Sequence, residues 1–184
     1  MHHRSISRVS NVSLSRRAFF GAARAEPAFR PPWALAEAAF QEACTRCGEC
    51  LAVCPTGLLV KGGGGYPEAV FGAGQAPEGC TFCGECRRVC RPQALREVAG
   101  QAPWVLQAVF SAACLAERGV VCRTCGESCE ARAIHFPPAL GGVSRPRLDA
   151  AACTGCGACL ADCPTQAIRI AAPNSPSLAL RGAA

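Results

Sequence analysis

Bulky apolar side chains are scarce in this chain of 184 residues. Aromatic residues make up only 6% of it, too little to build a core without help. Chains so poor in core material rely on disulfides or bound metal as staples. No apolar run is long enough to cross a bilayer, so no membrane span is predicted. Histidine is equally sparse. His2 and His3 lie at the N-terminus and His135 follows Ile134, and each is expected to be solvated. No Ser–His–Asp or Cys–His nucleophile set can be assembled, and no Gly-rich phosphate loop follows a strand. Flavin and nicotinamide signatures are missing too. The chain is therefore not expected to be an enzyme.

What it has instead is cysteine, sixteen in all. A disulfide framework would need an oxidising compartment, normally reached through a signal peptide. Ser15-Arg16-Arg17-Ala18-Phe19-Phe20 resembles a twin-arginine export motif. The apolar stretch that should follow is broken by Arg24, Glu26, Pro27, Arg30, Pro31 and Pro32. The expected location is the cytoplasm, where thiols stay reduced and available to metal.

The cysteines fall into four copies of one unit. Three copies read C-x₂-C-x₂-C-x₃-C: Cys44, Cys47, Cys50 and Cys54; Cys80, Cys83, Cys86 and Cys90; Cys153, Cys156, Cys159 and Cys163. The remaining copy has Cys114, Cys122, Cys125 and Cys129, with Gly119 where the first cysteine belongs. Register persists downstream. Five residues past the fourth cysteine stand Leu59, Leu95, Ile134 and Ile168, which predicts a short buried strand in each copy. The gap between third and fourth ligands suits one helical turn. Trp104–Phe110 is predicted to be a strand, with Ser111 as a helix N-cap after it. Trp33 and Trp104 are expected to pack beside the metal sites.

Three thiolates at x₂ intervals wrap a loop around three corners of a cubane, and the fourth cysteine points away. In two-cluster ferredoxins that fourth cysteine serves the neighbouring cluster. The predicted sets are then Cys44, Cys47 and Cys50 with Cys90; Cys80, Cys83 and Cys86 with Cys54; and Cys153, Cys156 and Cys159 with Cys129. Cys163 is left for Cys122 and Cys125. Structural zinc sites usually pair two C-x₂₋₄-C knuckles across a longer gap, which these spacings do not resemble. Gly48, Gly84, Gly126, Gly155 and Gly157 are read as loop residues that let amides approach sulfur.

The irregular copy admits three readings. Cys114 can return to the missing corner if Ser111–Gly119 forms one helical turn ending in a glycine C-cap, giving a fourth [4Fe–4S] site. Otherwise the copy holds a labile or three-iron cluster, or Cys114 is simply a buried free thiol.

Net charge depends on the metal. Sixteen thiolates and four oxidised cores would change the formal +6 to about −2. Residues 1–32 would then carry about +5 against about −7 for the rest. An Arg-rich tail on an acidic body argues against a nucleic-acid partner and suggests that the tail, with Arg16 and Arg17, docks another protein.

The three regular motifs, the irregular "CLAERGVVCRTCGESCEARAIHFPPALGG", "RPPW" at 30–33, "GGYP" at 64–67 and the N-terminal "SRR" together resemble the NapF family. These are ferredoxin-type accessory proteins of the periplasmic nitrate reductase system. The resemblance runs from about Ser15 to Ile170. It implies an α+β fold of two tandem bacterial-type ferredoxin modules, held together by clusters. The expected boundaries are a tail at 1–32, modules at 33–100 and 101–173, and a C-terminal tail at 174–184. It also implies a cytoplasmic protein that binds the unexported catalytic subunit of the nitrate reductase and helps it acquire its iron–sulfur cluster. An electron-transfer polyferredoxin feeding a reductase is the alternative. Arg91 departs from the family pattern, in which proline commonly follows the fourth cysteine; Pro92 comes one residue later.

Overall fold

The computed structural model describes residues 29–72, 78–173 and 175. Arg16, Arg17 and the twin-arginine-like stretch lie outside the described residues. Every element is short, as expected of a chain with so little apolar material to bury. In order they are α1 (Glu37–Ala43), α2 (Glu49–Ala52), β1 (Leu59–Lys61), β2 (Pro67–Ala69), α3 (Glu85–Arg88), β3 (Gln107–Phe110), α4 (Thr124–Glu127), β4 (Ile134–His135), β5 (Arg147–Leu148), α5 (Ala158–Ala161) and β6 (Ile168–Ala171). Helices and small sheets are mixed, with β1–β2, β3–β6 and β4–β5 each an antiparallel pair.

The four copies share one design in their second halves. The third cysteine sits in a four-residue helix and is buried in each copy, as Cys50, Cys86, Cys125 and Cys159. Three residues past the fourth cysteine the chain turns through a left-handed residue: Gly57, Gln93, Arg132 and Gln166, with φ of 67°, 55°, 50° and 49°. Each turn is closed by that residue's amide donating to the fourth cysteine's carbonyl, at 2.9–3.2 Å. The next residue is fully buried in every copy, as Leu58, Ala94, Ala133 and Ala167. Its carbonyl accepts an amide from a partner segment: Val70, Leu35, Asp149 and Ser111 respectively. The apolar residue after it opens β1, β4 or β6, or in Leu95 bridges to Ala34.

This gives each module a twofold pattern. A hairpin joins the first copy to the second (β1–β2) and the third to the fourth (β4–β5). A return pairing ties the end of each module to its start, as β3–β6 in the second and as the single Ala34–Leu95 bridge in the first.

Four sequence expectations shift. Leu95, where a short strand is expected, forms only a one-residue bridge to Ala34. Residues 29–32, assigned to the tail, pack onto the first module. Ala69 donates to the Phe29 carbonyl at 2.7 Å, Pro31 and Pro32 are fully buried, and Arg30 bonds Glu37 while lying against the Phe40 and Tyr66 rings. Arg30 is thus a body residue, already paired, and leaves the basic charge assigned to the tail. The expected strand from Trp104 begins only at Gln107, and all four of its residues are buried. Trp104 is drawn away because its indole Nε1 donates to the Arg30 carbonyl at 2.9 Å. Gly126 lies inside α4, where a side chain would meet Phe136 at 2.8 Å, so its role is close packing.

Candidate functional site

The sixteen cysteines, none in a disulfide, gather around four cavities. Cys44, Cys47, Cys50 and Cys90 line the first. Cys80, Cys83, Cys86 and Cys54 line the second. The third takes Cys114, Cys122, Cys125 and Cys163, and the fourth Cys153, Cys156, Cys159 and Cys129. Each cavity therefore draws three cysteines from one copy and the fourth from its companion. The exchange follows from the left-handed turn and the twofold pairing, which carry the chain across to the other site.

In the regular copies the binding loop needs two left-handed residues. One precedes the second cysteine, as Arg46, Phe82 and Gly155, and one follows it, as Gly48, Gly84 and Gly157. The loop reverses tightly there, which brings three sulfurs to one side. The irregular copy has neither feature; Arg123, after Cys122, has φ of −132°. Its first cysteine, Cys114, sits on a helical turn. The Arg118 amide donates to the Cys114 carbonyl at 3.1 Å, Gly119 to Ala116, and Val120 back to Leu115. With Gly119 at φ 81°, these last two bonds form a Schellman cap. Ser111 anchors the start, its hydroxyl accepting the Ala113 amide at 3.3 Å.

The third cavity is as roomy as the regular ones. Counting space open to solvent, the four hold about 360, 330, 330 and 340 Å³ from first to fourth. Apolar side chains close them: Phe40 and Leu95 in the first, Trp33 and Leu58 in the second, Phe110 and Phe136 in the third, Ile134 and Ile170 in the fourth.

Such surroundings are hostile to bare thiolates. Burial, reinforced by repulsion from neighbouring cysteines, pushes the Cys50, Cys86 and Cys159 thiols up to about 12. It raises Cys80 and Cys125 to about 11. Cys54 behaves oppositely. Burial alone would raise it too, but amides of Leu59, Leu58 and Thr56 and the Thr56 hydroxyl outweigh that and hold it below its ordinary value. The same turn aims amides at the other fourth cysteines, from Leu95 to Cys90, Ala133 to Cys129 and Ala167 to Cys163, at 3.2–3.4 Å. Four soft thiolates that repel one another call for a thiophilic, positively charged core. The donor set fits a [4Fe–4S] cubane, with amide hydrogen bonds to ligand sulfur as a lever on its potential.

Trp33 packs beside the second cavity, and Trp104 lies one ring further out, on Phe82 and Phe71. His135 is exposed on β4. The left-handed Gln93, Arg132 and Gln166 were missed in the sequence. Their offset from the fourth cysteine is constant, but glutamine and arginine give no chemical hint of the conformation.

Two family models, each described as a 4Fe-4S dicluster domain, match residues 43–95 and 120–167. The second begins at Val120 and leaves Cys114 out. Among curated proteins, the chain is 45% identical over 139 residues to the ferredoxin-type protein NapF of Haemophilus influenzae, covering 76% of each chain. To NapF of Escherichia coli it is 41% identical over 145 residues, 79% of this chain and 85% of that one. To the methylamine utilization ferredoxin-type protein MauM of Methylobacillus flagellatus it is 34% identical over 186 residues, 89% and 79%. With two tandem dicluster ferredoxin domains and this identity across most of its length, the chain belongs to the NapF family of ferredoxin-type proteins.

Proposed function

We propose that the protein carries four [4Fe–4S] clusters, one per cavity, and serves in the cytoplasm as an accessory factor. Its partner is the unexported precursor of the catalytic subunit of a periplasmic nitrate reductase, which it helps to acquire an iron–sulfur cluster. The observation that carries the cluster count is the third cavity, where Cys114 joins Cys122, Cys125 and Cys163 in a space matching the regular three. Family membership supports the accessory role. Bound clusters would supply one-electron redox chemistry. The chain's residues contribute the rest: cysteines hold the core, apolar side chains exclude water, and turn amides stabilise charge on sulfur. Arg16 and Arg17 would dock the partner.

The second reading, an electron-transfer polyferredoxin donating to a reductase, draws on the exposure of Cys47 and Cys83. Two experiments separate the readings. Anaerobically purified protein is mixed with the precursor subunit, and the iron content of that subunit is compared in strains with and without the factor. The accessory role requires specific binding and an iron-poor subunit in the deletion strain. A fully loaded subunit, together with fast reversible reduction of the factor by a cellular donor, would favour the second reading.

A further inference from the structure

The two modules meet where a binding loop of one touches a binding loop of the other. The Cys80 amide donates to the Cys156 carbonyl at 2.8 Å. Gly79 leaves no gap there: it is left-handed, and a Cβ on it would fall 2.3 Å from the same carbonyl and 2.7 Å from the Ala158 nitrogen. Beside it, Gly157 packs so closely on Phe71 that a Cβ would come within 2.5 Å of the ring. Phe29 and Phe71 pack against both hydrophobic cores. A chain of edge-on rings, Phe29–Phe71–Trp104–Phe82–Trp33, runs from this contact back over the second cavity. Within each module the two cavities are joined through buried cysteines that share a core, Cys50 with Cys86 and Cys125 with Cys159.

We propose that the Cys80–Cys156 junction makes the second and fourth cavities neighbours across the module boundary, so that the four sites form one file in the order first, second, fourth, third. The protein is then a single redox unit with the displaced-ligand site at one end, and not two independent pairs. This rests on the reading that the cavities hold [4Fe–4S] clusters.

The test is electron paramagnetic resonance of dithionite-reduced protein, with iron counted in the same samples. Cys47→Ser with Cys122→Ser leaves the second and fourth sites; Cys83→Ser with Cys156→Ser leaves the first and third. The first variant should show a split or broadened spectrum from interacting spins, the second a plain sum of two independent signals. Independent signals from the first variant at about eight irons per chain would overturn the file order while leaving the cluster reading intact. A wild-type chain that takes up no iron would sink the cluster reading itself. Should the variants load poorly, hydrogen exchange on the loaded wild-type protein still decides. The Cys80 amide should be strongly protected, and rapid exchange there would remove the junction.

Discussion

Cys114 and Cys163 face the same cavity, one carried in by a capped helical turn and the other by the crossing after α5. If both ligate one cluster, Cys114→Ser should lower the iron of anaerobically purified protein from about sixteen atoms per chain to about twelve. Unchanged iron near twelve in both proteins would mean that the cavity holds no full cluster and Cys114 is a bystander. Iron and sulfide assays decide this directly.

Exchange of fourth ligands predicts a pattern of non-additivity. Cys47→Ser and Cys90→Ser should each remove about four irons, and so should the pair together, because both serve the first cavity. Cys83→Ser combined with Cys90→Ser should remove about eight. If Cys90 instead served its own motif, the two double variants would trade results.

The left-handed turns give a stability prediction. Gln166 holds φ at 49°, a conformation that costs a non-glycine residue roughly 1–2 kcal/mol. Gln166→Gly should raise the midpoint of anaerobic denaturation, with a gain of up to about 1 kcal/mol after the added chain entropy. Gly57→Val, at φ 67°, should lower it by a similar amount or more. Iron content should be unchanged in the glycine variant.

Metal removal should abolish the compact state. Among the described residues the fully buried large side chains are few, Phe40, Leu58, Pro31 and Pro32, and the third cysteine of each motif is itself part of the core. For a structural metal, binding energy is folding energy. Stripping the iron should therefore collapse the far-ultraviolet dichroism and increase the hydrodynamic radius, and reconstitution with iron and sulfide should restore both. A stripped protein that keeps its size and dichroism would show that the apolar residues suffice.

Much of the grouping of the cysteines was legible because cysteine spacing is a covalent constraint with few geometric solutions. The strands after the fourth cysteines were legible too, since Leu59, Ile134 and Ile168 recur in register. The contacts of Arg30 were not. A guanidinium between two aromatic rings, bonded to Glu37, is indistinguishable in sequence from the arginines upstream of it. Trp104 was misplaced for a related reason: its apolar alternation with later residues suggested a strand, while its indole is committed to a carbonyl on a distant segment. Gly79 likewise looks like any loop glycine until the second module's backbone is seen against it.

The Schellman turn at Gly119 shows which part of the unit is negotiable. All four copies keep the reversal behind the last sulfur, with its buried residue and borrowed carbonyl bond, whereas the loop around the second sulfur comes in two unrelated forms. A protein engineer could therefore re-route the incoming strand of any copy, by a helix, a longer loop or a ligand from elsewhere, provided the outgoing corner is left untouched.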